Sequence, residues 1–244
     1  MTDFRNKVAL ITGASRGIGA GVARLLAERG VDVVINYRSK GPRAEEVAAA
    51  IRAVGRRALL AQADVTQEGD LQAMKRAVTS SFPQLDILVL NASGGLEKDK
   101  STEYAMQLNR DAQVRAVEVF APVMPPGGCI VFVTSHWAHF YGQKPVHRVY
   151  EIVAVSKRAG EDALRARIPE LSARGIRLII ASGDMVEGTI TPKLLERAQR
   201  GLLTERRHQV GRLPTVEEFA EAIVNGIQDA NIRSGDVIFV GSTD

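Results

Sequence analysis

An open, doubly wound α/β sheet of about seven parallel strands, in a single domain spanning residues 1–244, is the fold class that this sequence predicts. Two observations carry it. Apolar runs rich in β-branched residues recur at Val8–Thr12, Val31–Asn36, Ala58–Ala63, Ile87–Leu90, Ile130–Thr134, Ile176–Ala181 and Val237–Val240. Between them lie stretches of helical character at Ile18–Arg29, Ala44–Val54, Asp70–Phe82, Ala112–Val123, Ser156–Ala173 and Val216–Asp229. Near-continuous apolar strands are buried on both faces, the pattern of a parallel sheet between two helix layers. Right-handed crossovers then place a ligand crevice at the carboxyl ends of the strands. No linker, repeat or low-complexity tract divides the chain. His136–Arg148 and Gly183–Pro214 break the rhythm, and long loops of this kind are candidate substrate-binding segments.

Composition narrows the classes. With 45% hydrophobic and 25% charged residues the chain matches ordinary globular proteins rather than disordered ones. No apolar run approaches the roughly 18 residues of a membrane-spanning helix. The N-terminal stretch leads directly into the first strand pattern without an export signal, so the cytoplasm is the expected location. Cys129 is the single cysteine, which rules out an internal disulfide. The net charge of +4 suits an anionic ligand, such as a phosphorylated cofactor or an acidic carrier protein. Lys and Arg are dispersed along the chain, so nucleic acid is not an expected partner.

The first motif with chemistry is Thr12-Gly13-Ala14-Ser15-Arg16-Gly17-Ile18-Gly19, which follows the first strand and opens the first helix. Glycines allow close backbone approach to phosphates, and a helix N-terminus presents unpaired N–H groups with partial positive charge. The tip of the second strand decides between two dinucleotides. An acid there would bind the ribose hydroxyls of NAD, whereas a cation suits the 2′-phosphate of NADP. The sequence reads Asn36-Tyr37-Arg38-Ser39-Lys40, with no acid, and Arg16 lies within reach of the same phosphate. The paired donors of a guanidinium match phosphate geometry, so NADP(H) is the expected cofactor.

The spacing TGxxxGxG resembles the short-chain dehydrogenase/reductase family, whose fold is Rossmann-like, and the resemblance covers nearly the whole chain. It implies that Asp64-Val65 places the adenine and that Asn91-Ala92-Ser93 forms the cofactor turn after the fourth strand. It makes Asn109 the helix asparagine that supports a proton-relay water, Ser135 the catalytic serine and Lys157 the catalytic lysine. Ser182-Gly183 ends the sixth strand beside the cofactor, and Thr189 and Thr191 fall where the family binds the nicotinamide carboxamide. A homodimer or homotetramer built on the long helices is also implied.

The tyrosine departs from the commonest pattern, because Tyr-x3-Lys would need tyrosine at the position of Val153. The nearest upstream tyrosine gives Tyr150-x6-Lys157, a spacing similar to that of enoyl-acyl-carrier-protein reductases that keep TGxxxGxG. Seven residues return to within about 20° of one helical face, about 10 Å apart along the axis. Helical side chains lean toward the N-terminus, so Lys157 points toward Tyr150. The expected activity is therefore NADPH-dependent reduction of a carbonyl-conjugated substrate, with Tyr150 as the acid. An enoyl thioester, free or on a carrier protein, ranks ahead of a ketoacyl or aromatic, polyketide-like ketone. A cofactor-binding protein without catalysis is the alternative from another class. In the loop after Ser135, His136, His139 and His147 lack a carboxylate or cysteine at ligand spacing, so no metal is expected. With Trp137, Phe140 and Tyr141 that loop is expected to form an aromatic wall, and Pro192–Gly201 has the character of a helical lid.

Overall fold

The computed structural model describes residues 4–97 and 100–243. Met1–Asp3 and Asp244, the ends of the expected domain, lie outside the described residues. Seven strands form one parallel sheet: β1 (Val8–Ile11), β2 (Asp32–Tyr37), β3 (Ala58–Gln62), β4 (Ile87–Leu90), β5 (Cys129–Ser135), β6 (Arg177–Gly183) and β7 (Val237–Val240). Their order is β3-β2-β1-β4-β5-β6-β7. The order reverses between β1 and β4, so the loops after these two strands diverge and open a crevice. Both strands are buried along their whole length, as their unbroken apolar runs require.

Helices cover both faces. One layer holds α1 (Gly17–Glu28), α2 (Gly41–Ala53) and α11 (Val216–Gln228), which bury Val22, Leu26, Val47, Ile51 and Ile223 against the sheet. The other holds α3 (Glu68–Ser81), α5 (Ala112–Phe120) and α8 (Ile168–Ala173), with α7 (Glu151–Arg165) contributing Leu164. Each fully buried Leu, Ile or Phe contributes roughly 1.5–3 kcal/mol relative to exposure. No helix of the described residues is long and apolar enough to cross a membrane.

Several predicted boundaries are corrected. The helix expected over Ala112–Val123 begins earlier, as α4 (Thr102–Met106), where the Ser101 hydroxyl accepts the Tyr104 N–H. It passes through a π-helical turn, Gln107–Asp111, into α5, and Ala121–Val123 tightens into a 3-10 turn at Pro122. The helix expected over Ser156–Ala173 starts at Glu151 and is broken between Arg165 and Ile168, with Pro169 opening α8. The two long loops carry short helices of their own: α6 (His136–His139), α9 (Ile190–Ala198) and α10 (Leu202–Val210). Thr191 therefore lies in a helix rather than a loop. The helical expectation over Pro192–Gly201 corresponds to α9, whereas α10 is polar on most sides and leaves no periodic signal. Arg206 of α10 is held by Asp184 through three contacts of 2.8–3.1 Å.

Candidate active site

The glycine turn is held from both sides. Gly13 and Gly17 adopt φ of +65° and +56°, in the left-handed region that favours glycine. The buried Asn36 accepts the Gly13 N–H at 3.1 Å and donates to the carbonyls of Ala61 and Ala63, tying the turn to β2 and β3. Thr12 ties it to β4, its hydroxyl accepting the N–H groups of Asn91 and Ala92 at 2.9 and 3.0 Å. A Cβ on Gly19 would lie 2.5 Å from the Asn91 amide nitrogen, so this glycine admits Asn91. Helix α1 opens at Arg16 with no side-chain cap and no acid in its first turn. Its N-terminal N–H groups remain available to an anion, and the cradle fits a dinucleotide pyrophosphate.

At the tip of β2, Arg38 is already engaged. Its guanidinium donates to the Tyr104 hydroxyl at 3.1 Å and lies 3.6 Å from Asp64. The Tyr104 hydrogen bond raises its pKa further. Asp64 also accepts the Thr66 N–H and hydroxyl, which shapes the turn around the buried Val65. Ser39 is exposed beside Arg38.

A cavity of about 380 Å³ lies at the carboxyl ends of the strands. Among its lining residues are Arg16, Gly17, Ile18, Asn91, Ser93, Ser135, Tyr150, Lys157, Gly183, Thr189 and Thr191, all singled out from the sequence. Tyr150 closes a 3-10 turn (Arg148–Tyr150) and caps α7, which sets it just before the helix that carries Lys157. Its hydroxyl donates to Ser135 Oγ at 2.9 Å. Burial pushes the phenol up to about 12, against the opposing Ser135 hydrogen bond. Lys157 reaches back along the helix, with Nζ 3.5 Å from the Val133 carbonyl, and burial lowers its pKa to about 8. Ser135 is positioned as the last residue of β5, where its Oγ accepts the Ala138 N–H and caps α6.

Asn109 does not line this cavity. It sits buried in the π-helical turn, donating at 2.9 Å to both the Gly94 carbonyl and Ser156 Oγ. It thereby joins the β4 loop to α7 one residue before Lys157. A Cβ on Gly160 would come within 2.1 Å of the Asn109 carbonyl, so the glycine lets α7 approach. Ser182 also lies outside the cavity wall, fully buried, with its Oγ 2.9 Å from His136 Nδ1. Gly13, Gly19 and Ala92 support the turns from behind, and Ser15 lines a neighbouring cavity instead.

The expected aromatic wall is smaller than the sequence implied. Trp137 lines the cavity, with its ring 5.1 Å from that of Tyr150, and His136 joins it. Phe140 instead stacks on Phe239 of β7, and His139 binds the buried Glu161 at 2.9 Å. Burial holds His136 low, at about 4, so it is neutral at physiological pH. Val153, where the commoner pattern has tyrosine, joins Leu96, Met185 and Leu194 in an apolar side, and these last three were not singled out from the sequence. Such residues carry no local motif. Arg43 of α2 was missed as well, although a cation in the first turn of a helix is an unusual signal.

A phosphate-binding turn at the switch point, with a buried phenol, a hydroxyl and an ammonium in the same crevice, defines a nicotinamide-nucleotide-dependent oxidoreductase. The chain belongs to the short chain dehydrogenase family, whose profile matches residues 7–199. It is 37% identical over 177 residues to hydroxynaphthalene reductase arp2 of Aspergillus fumigatus, covering 69% of this chain and 62% of that one. A short chain dehydrogenase from Burkholderia cenocepacia in complex with NADP superposes with a TM-score of 0.85 at 28% identity, covering 98% of each chain. The angucycline C-6 ketoreductase LanV with bound NADP gives 0.80 at 26% identity, over 99% of this chain and 96% of that one.

Proposed function

We propose that residues 1–244 form an NADPH-dependent ketoreductase of an apolar, ring-bearing ketone, with Tyr150 as the proton donor. The observation that carries this reading is the 2.9 Å hydrogen bond from Tyr150 to Ser135, on the wall of a cavity that Lys157 and the glycine turn also line. Bound NADPH supplies the hydride. Gly17, Ile18, Asn91, Ser93, Thr189 and Thr191 would hold it. Tyr150, a phenol that holds its proton at physiological pH and whose neutral form burial favours further, passes that proton to the carbonyl oxygen. Ser135 donates a second hydrogen bond to that oxygen, and the Lys157 ammonium offsets the negative charge left on the phenol. Asn109 acts through its bonds to Gly94 and Ser156, which hold the α7 turn in place.

The ring ketone is favoured by the apolar side of the cavity and by the activities named for the fungal reductase and for LanV. These relatives support the ketone, the sequence reading's second choice, over the enoyl thioester. The Tyr150-x6-Lys157 spacing, with Asn36-Tyr37, Asn91-Ala92 and Ser182-Gly183, stands on the enoyl side. Assembly as a homodimer or homotetramer belongs to the same reading. The test is NADPH oxidation with a panel of bicyclic aryl ketones, ketoacyl thioesters and enoyl thioesters. Ring ketones should turn over, and Tyr150→Phe should slow this by roughly 10²–10⁴-fold. Turnover of enoyl thioesters alone would overturn the ketone assignment, and no turnover would point to cofactor binding without catalysis.

A further inference from the structure

We propose that Arg43, in the first turn of α2, is a specificity-determining residue that grips the 2′-phosphate of NADP(H) together with Arg16. The inference rests on the NADPH reading above and gives Arg16 a different partner, Arg43 in place of Arg38. Sequence position nominates Arg38 beside Arg16, and Arg38 already meets Asp64 at 3.6 Å and the Tyr104 hydroxyl at 3.1 Å. Arg16 and Arg43, by contrast, have no ion pair or side-chain hydrogen bond among the described residues. Both line the main cavity, and both line a second cavity of about 410 Å³ that adjoins it at Gly17. Ser15 and Arg24 contribute to the second cavity, as do the acids Glu46, Glu187 and Glu217, of which Glu187 is paired with Arg207.

Charge placement supports the same assignment. Helix α1 has Arg16 at its N-cap, and α2 has Lys40 at its N-cap and Arg43 in its first turn, with no acid in either first turn. A helix N-terminus prefers carboxylates, so cations at both ends work against both dipoles. A dianion between them reverses that repulsion and meets two guanidinium forks at once. The backbone of Arg43 is fixed by Pro42 at the helix start and by Ala44, which is fully buried and donates its N–H to the Lys40 carbonyl at 3.1 Å. The residue is thus an exposed side chain on a rigid base.

The test is calorimetric binding of 2′,5′-ADP and 5′-AMP, which differ only in the phosphate concerned and need no turnover. Arg43→Ala should lower affinity for 2′,5′-ADP about tenfold and leave 5′-AMP within about twofold. Arg43→Lys should fall between, since it keeps the charge and loses the paired donors. Arg76→Ala, an exposed arginine of α3 that lines neither cavity, should bind both ligands as the unmodified protein does. Unchanged 2′,5′-ADP affinity in Arg43→Ala would overturn the proposal, as would an equal loss in Arg76→Ala, which would reduce the effect to general positive charge. If the unmodified protein binds the two nucleotides equally, the NADPH reading fails and takes this one with it. If it discriminates and Arg43→Ala still does, only the assignment to Arg43 fails.

Discussion

Replacing Lys157 with methionine should stabilise the nucleotide-free protein while removing its activity. The ammonium is enclosed at the cavity wall, its one hydrogen bond among the described residues is a long 3.5 Å contact to Val133, and its pKa falls from 10.5 to about 8. That displacement corresponds to at most about 3 kcal/mol of unfavourable interaction in the charged state. Lys157 keeps partial exposure to the cavity, where water screens the charge, so a gain of about 1–3 kcal/mol is expected. The sign follows from proton binding. Between pH 8 and 10.5 the unfolded chain holds a proton that the folded one has released, so stability rises with pH across that window. The penalty is full below about pH 8, and the advantage of Lys157→Met should be largest there and shrink toward pH 10.5. At roughly 2–4 °C per kcal/mol for a chain of this size, thermal unfolding at pH 7 and at pH 10 resolves the effect. A methionine variant no more stable than the unmodified protein at pH 7, or a difference that ignores pH, would refute the reasoning.

Three further outcomes are expected. Tyr150→Phe should retain fold and NADPH affinity but lower kcat by roughly 10²–10⁴-fold, with Ser135→Ala costing less; turnover at the unmodified rate would move the acid elsewhere, Tyr141 being the first alternative. NADPH should bind at least about tenfold tighter than NADH by fluorescence titration, and equal affinities would contradict the cation-lined phosphate end. Asn109→Ala strands the Gly94 carbonyl and Ser156, and chemical denaturation should show a loss of about 1–3 kcal/mol together with reduced kcat.

The sheet was legible in the chain because buried parallel strands must be apolar along their length, and this property is local. The glycine turn was legible for a similar reason, since the φ values of Gly13 and Gly17 and the exposed start of α1 are short-range features. The order of Ser135, Tyr150 and Lys157 pointed to a common crevice, and β5 and α7 bring them to it. Other features depended on residues far apart in sequence. Arg38 meets Tyr104 across 66 positions, and Asn109 reaches Ser156 across 47. His136 pairs with the hydroxyl of Ser182, and Asp184 holds Arg206 on a helix with almost no periodic pattern of its own. Periodicity reports which face of an element is buried. It does not report which partner a polar side chain meets, because that is set by strand order, by helix approach and by the need of each buried donor for an acceptor.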